Sequence, residues 1–89
     1  MSSIYPKYEG LPLIPSKAAM NELYKFGLTL QDVQEVLEEG YQTKRRKEGT
    51  LEKCIKRNNV ILKVVVSKSY NFSFKTECWV VVHIGIVKW

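Results

Sequence analysis

The spacing of apolar residues changes at Gly40, and this change constrains the fold more than any other feature of the sequence. Before Gly40, apolar side chains recur every three or four residues, as in helices with one buried face. After Gly40, apolar and polar residues alternate, as in β-strands with one buried face. The sequence therefore predicts helices first and a sheet second, which is an α+β arrangement.

Two short helices in a hairpin over residues 16–40 account for the first pattern. The first helix is expected to follow an N-cap at Ser16 and to end at Gly27, since glycine tolerates a positive φ. The second is expected to follow Thr29, with Asp32 near the positive end of the helix dipole. The apolar stripes of the two helices are Ala19, Met20, Leu23 and Phe26, and Leu30, Val33, Val36 and Leu37.

Three or four antiparallel strands are expected in residues 41–88. Tyr41–Lys47 is polar and charged, which is typical of an edge strand. Asn58 and Asn59 predict a tight turn, because asparagine tolerates positive φ. Trp79–Val87 is the most apolar segment and is expected to be the last strand. The predicted fold class is α+β, with a two-helix hairpin packed on one face of a three- to four-stranded antiparallel sheet.

A single domain over residues 1–89 is expected, because two cores would each be too small in a chain of 89 residues. The three prolines lie in the first 15 residues, so residues 1–14 are predicted to form an extended arm, in which Leu11–Ile14 could form a short strand. No signal sequence is expected, because the first residues lack a basic-then-apolar pattern, and the longest apolar run, Trp79–Val87, spans nine residues with His83 inside it, against about 20 for a membrane helix. A cytoplasmic protein is the simplest expectation.

A concentration of basic residues between positions 44 and 57 is the strongest functional signal. Seven basic and two acidic residues lie there, so this segment carries the whole net charge of +5. On paired strands these side chains could form a row of phosphate-binding cations. The alternative is that they only keep an edge strand from aggregating. The predicted RNA- or phosphate-binding residues are Lys44, Arg45, Arg46, Lys47, Lys53, Lys56 and Arg57.

A second candidate group consists of three aromatic residues that alternate with polar ones. Tyr70, Phe72 and Phe74 are interleaved with asparagine, serine and lysine. Aromatic faces stack on unpaired bases, so the pattern favours single-stranded nucleic acid. The alternative is that the three rings are buried in the core.

His83 is the only histidine and the candidate catalytic residue. It could act as general base or acid in RNA cleavage by 2′-hydroxyl attack, with arginines of the basic segment stabilising the phosphorane. By strand alternation it is expected to share a face with Glu77, Trp79 and Val81. The alternative is a structural, hydrogen-bonded histidine.

The remaining candidates favour neither a metal nor a cofactor. Cys54 and Cys78 are too far apart for a CxxC motif and are expected to be small buried residues. One histidine and two distant cysteines do not form a zinc pattern. We therefore predict no metal site and no cofactor.

Segment 25–40 resembles the helix–turn–helix of a family of small prokaryotic domains of unknown function. The resemblance rests on Lys25–Val33, with its Gly-Leu-Thr turn, and on the Leu-x-x-Gly end at Gly40. It extends over about residues 11–87 through similar sheet segments, namely Arg46–Thr50, Val64–Val66 and Trp79–Gly85. One difference is Lys17-Ala18-Ala19, where many relatives have a His-Ala pair.

That family's layout is similar to RelE-like and BrnT-like toxins, which cleave messenger RNA without a metal and are silenced by an antitoxin. The resemblance therefore implies an RNA-binding, toxin-like domain that could be a metal-independent endoribonuclease. The alternative is a non-catalytic protein-interaction module, or a homodimer, that uses the basic sheet edge. The expected partners are RNA, an antitoxin-like or other protein, or a second copy, with no membrane.

Overall fold

The computed structural model describes residues 5–45 and 49–88. In this part of the chain, two helices lie against one curled, six-stranded mixed sheet that forms half of a barrel. The elements are β1 (Lys7–Tyr8), β2 (Leu11–Pro15), α1 (Lys17–Phe26), α2 (Leu30–Glu39), β3 (Tyr41–Arg45), β4 (Thr50–Arg57), β5 (Val60–Asn71) and β6 (Thr76–Lys88). The chain is thus α+β, with the helices between two groups of strands.

The sheet differs from the predicted one, so the predicted fold class is wrong. The strand order is β1-β2-β6-β5-β4-β3, and β2 pairs with β6 in parallel while every other neighbouring pair is antiparallel. The extra strands come from the proline-rich arm, where Leu13 lies opposite Trp79 and Pro15 opposite Val81. This pairing joins segments far apart in the sequence, so no local pattern predicts it.

The helical hairpin has the predicted caps. The Ser16 hydroxyl accepts a hydrogen bond from the Ala19 N–H at 3.1 Å, and Gly27 ends α1 with a φ of 68°. Thr29 and Asp32 form a reciprocal capping box at the start of α2. These caps satisfy N–H groups that a helix end would otherwise leave unpaired, and they fix where each helix starts.

The core lies between the helices and one face of the sheet, which we call the inner face. Leu23 of α1 and Val33, Val36 and Leu37 of α2 are buried there. The sheet residues that complete this core are Leu13, Leu62, Val64, Val66, Trp79, Val81 and Ile84. We call the opposite side of the sheet the outer face, and by strand alternation Lys56, Lys63 and Val65 lie on it.

A β-bulge at Val82 changes the face on which later β6 side chains lie. Val66 is opposite Val81 but Val65 is opposite His83, so Val82 is the extra residue. Trp79 and Val81 stay on the inner face, whereas His83 moves to the outer face. The predicted sharing of one face by these three residues is therefore wrong, because simple alternation takes no account of a bulge.

Candidate functional site

The three aromatic candidates lie at the tip of the β5–β6 hairpin, and we call Tyr70, Phe72 and Phe74 the aromatic tip. The two strands extend to Asn71 and Thr76, beyond the reach of the other strands. The side chains are 48%, 83% and 50% exposed, respectively. The alternative of burial in the core is therefore wrong. Large apolar groups exposed together on a small protein are typical of an interaction site.

Local contacts hold the aromatic tip in place without covering it. The Asn71 side-chain oxygen accepts a hydrogen bond from the Phe74 N–H at 2.9 Å and thus braces the turn. The rings of Tyr70 and Phe72 meet edge to face with centroids 4.9 Å apart, and Phe74 lies 5.9 Å from Tyr5. The tip is thus an ordered group of accessible rings.

Lysines stand on both sides of the tip. Lys75 lies in the turn itself and is exposed. Lys68 lies two residues before Tyr70, and its ammonium group is 5.2 Å from the centre of the Trp79 ring. Two lysines and one exposed acid, Glu77 opposite Tyr70, therefore lie near the rings.

Lys53, from the predicted basic segment, is engaged inside the fold. Its ammonium group donates hydrogen bonds to the Leu37 carbonyl at 2.7 Å and the Tyr8 hydroxyl at 3.2 Å. The carbonyl belongs to the last turn of α2, where a cation is favourable because that end of a helix is negative. Lys53 therefore stabilises the end of α2 from the inner face.

Arg57 shares the inner face of β4 with Lys53 but is also engaged within the fold. Arg57 forms an ion pair with Glu35 of α2 on the inner side of β4, whereas Lys56 lies on the outer face. Lys44 and Arg45 occupy β3, at register positions opposite Glu52 and Leu51. Arg46 and Lys47 lie outside the described residues. Phosphate binding by this segment stays a prediction.

His83 is paired with a carboxylate that sequence reasoning missed. Its Nδ1 lies 3.3 Å from Oε2 of Glu22 on α1, and the other Glu22 oxygen accepts a hydrogen bond from the Ile84 N–H at 3.0 Å. β2 pairs with β6 only through Val81, which leaves this N–H available on the β6 edge. No sequence signal links Glu22 to a strand 62 positions away.

Lys63 lies on the other side of the His83 ring. A side-chain carbon placed on Gly85 would lie 3.3 Å from His83 Nε2 and 3.7 Å from Lys63 Cε. Both side chains thus overhang Gly85, which is directly opposite Lys63 in the sheet.

Arg57, a predicted phosphate-binding residue, lies far from His83. It is opposite Val60 of β5, and Val60 is in turn opposite Lys88 of β6. That position is five residues from His83 along β6, or roughly 17 Å, so Arg57 cannot join this group.

The cysteines lie in surroundings that disfavour reactivity. Cys54 and Cys78 are both buried and free, as expected for small structural residues. Burial raises the pKa of the Cys78 thiol above its usual value, which disfavours the reactive thiolate.

Within residues 5–45 and 49–88, no three His, Cys, Asp or Glu side chains are grouped as metal ligands would be. No helix in these ranges is long and apolar enough to span a membrane.

Comparisons with known proteins do not assign this chain to a family. A scan against protein-family models finds no match, and searches of curated proteins and of solved structures find no significant similarity. Membership in the family of toxin-like domains therefore stays a prediction. Two candidate sites remain in the described part of the chain, the aromatic tip and the group of Glu22, His83 and Lys63.

Proposed function

We propose that this protein binds single-stranded RNA and that the aromatic tip stacks on its bases. The observation that carries the proposal is the 83% exposure of Phe72 at an ordered hairpin tip. Burying apolar rings is normally favourable, so a fold that leaves three of them in solvent keeps that surface for a partner. Unpaired bases can stack on such rings, because every base has a flat aromatic face.

The charges near the tip and on the whole chain favour an anionic partner. Lys68 and Lys75 flank the rings, and the chain has a net charge of +5. Lysine contacts to phosphates add affinity without reading the sequence, since their strength comes mainly from counterion release. The proposal is therefore RNA binding with little base specificity. The resemblance to RNA-directed toxins is in line with it but does not carry it.

The test is fluorescence anisotropy of a labelled, unstructured oligouridine with wild-type protein and Phe72→Ala. We expect Phe72→Ala to weaken binding by about 5- to 150-fold, because stacking contributes about 1–3 kcal/mol per base. Tyr24→Ala is the matched control, since Tyr24 on α1 is 90% exposed and outside the tip. Lys75→Gln should reduce the log–log salt slope by about 0.7, the value for one phosphate contact on a single strand.

Two results would overturn this proposal. One is the absence of RNA binding at low salt, including the case in which the protein instead sediments with anionic lipid vesicles. The other is equal loss of affinity in Phe72→Ala and Tyr24→Ala, which would show that the tip has no special role. The alternative prediction, a protein-interaction module at the basic edge, would then be tested by the mass of the protein in solution.

A further inference from the structure

The His83 imidazole is oriented by Glu22, whose carboxylate is itself held by a backbone N–H group. One Glu22 oxygen is held by the Ile84 N–H, so the other is fixed in position beside Nδ1. A carboxylate in this position favours the tautomer with a proton on Nδ1, which leaves the lone pair on Nε2. The side chain of His83 is 48% exposed, so the imidazole is accessible from solvent.

The surroundings of Nε2 suit a phosphate group. Gly85 offers no side chain below the ring, and the Lys63 stem lies across the same point. His83 Nε2 and the Lys63 side chain therefore both border the open backbone at Gly85 on the outer face. Glu22, the acidic group in contact with the ring, lies on its opposite side at Nδ1.

We infer that Glu22, His83 and Lys63 form a site that cleaves the phosphodiester bond of bound RNA, an inference that rests on the proposed function. His83 Nε2 takes the proton of the 2′-hydroxyl as the 2′-oxygen forms a bond to phosphorus. The Lys63 ammonium stabilises the phosphorane and gives a proton to the 5′-oxygen as its bond to phosphorus breaks. Water then returns a proton from His83 to Lys63. The products are a 2′,3′-cyclic phosphate and a 5′-hydroxyl.

The two sites lie at a distance that one RNA strand can span. Thr76 ends the turn of the aromatic tip, and His83 lies seven residues further along the same strand. At about 3.3 Å per residue, with one residue in the bulge, the separation is roughly 20 Å. Tyr70 lies on the inner face, as Lys68 and Trp79 do, so a strand that reaches His83 would stack on Phe72 and Phe74 in the turn and run along the outer face.

The test is cleavage of an end-labelled, single-stranded RNA in the presence of EDTA. We expect wild-type protein to produce the cyclic phosphate end. The His83→Ala variant should cleave at least about 100-fold more slowly. Added imidazole should restore part of the activity of His83→Ala, which a purely structural role would not allow. Lys63→Ala should slow cleavage, whereas Lys88→Ala, which removes an exposed lysine from the same strand as His83, should not.

Glu22→Gln tests the positioning role of the carboxylate. The amide oxygen can still accept from the Ile84 N–H, but the amide NH₂ would donate to Nδ1 and move the ring proton to Nε2. Nε2 could then no longer act as a base, so we expect kcat to fall while KM stays unchanged. Wild-type kcat in Glu22→Gln would show that Glu22 only holds the strand edge.

Binding of 2′-O-methyl RNA, which lacks the attacking hydroxyl, separates this inference from the proposed function. If the wild-type protein binds this analogue but does not cleave RNA, the cleavage site is wrong and RNA binding stands. The cleavage site is also wrong if His83→Ala cleaves as fast as wild type. If the analogue does not bind at all, the proposed function fails, and any cleavage would have to use another binding surface.

Discussion

The helical hairpin and the tip of the β5–β6 hairpin both present apolar side chains at regular spacing, but only the helical hairpin buries most of them. Val33, Val36 and Leu37 of α2 are at most 1% exposed, whereas Phe72 at the tip is 83% exposed. The difference is not in the pattern, since both segments match the period of their element. α2 has the inner face of the sheet to pack on, while the tip extends beyond its neighbouring strands. Periodicity thus shows which side chains share a face, and the topology determines whether that face is covered.

Leu37→Ala is expected to have the largest effect on stability, because Leu37 is fully buried in the core. Removing its side chain loses apolar burial and leaves a cavity, which lowers the free energy of unfolding by about 2–5 kcal/mol. Urea unfolding monitored by circular dichroism measures this change. Leu37→Met, which nearly conserves the volume, should cost less than about 1.5 kcal/mol. Equal losses in the two variants would show that the helical hairpin is not a tightly packed region.

Gly40→Ala is expected to have the next largest effect, at the junction of α2 and β3. A side-chain carbon at this position would collide with the carbonyl oxygens of Val36 and Cys54. Both obstacles are backbone atoms, so α2 and β4 would have to move apart, at a cost of about 1–3 kcal/mol in the free energy of unfolding. Glu39→Ala, at the exposed neighbouring position, is the control. A stable Gly40→Ala variant would mean that this junction is loosely packed.

Thr29→Ala should cost about 1 kcal/mol in the free energy of unfolding, because it removes one half of the capping box of α2. The Thr29 hydroxyl accepts from the Asp32 N–H, and the Asp32 carboxylate accepts from the Thr29 N–H at 2.8 Å. Thr29→Ser keeps the hydroxyl and should remain close to wild type. If urea unfolding shows the same loss for serine as for alanine, the threonine methyl and not the cap is responsible.

Features encoded within a few residues could be predicted from the sequence, and features that join distant segments could not. The caps at Ser16 and Thr29 lie where expected, and Asn58 has the positive φ of a tight turn. Each depends on chemistry that spans at most four residues. The parallel pairing of β2 with β6 and the contact of Glu22 with His83 depend on how the whole chain closes, and no local pattern encodes that closure.

The candidate sites divide in the same way. The sequence identified the rings of the tip and His83 as chemically suitable residues, because residue type is visible without a structure. Their surroundings were not predictable: the tip proved exposed, the bulge at Val82 moved His83 to the outer face, and Lys53 caps a helix. Alternation gives the face of a side chain only while the strand stays regular.

Phe72→Ala should have the smallest effect on stability and a large effect on function, which makes it the sharpest test of the comparison. Its ring is mostly in solvent and contacts Tyr70 alone among the described aromatic rings, so its removal should change the free energy of unfolding by less than about 0.5 kcal/mol. The same variant is expected to lose RNA affinity, whereas Leu37→Ala should retain affinity under conditions in which it stays folded. Parallel urea unfolding and anisotropy measurements on the two variants check this separation. A Phe72→Ala variant that is as destabilised as Leu37→Ala would mean that the tip is part of the core in solution, and its exposed rings could then no longer be assigned to a partner.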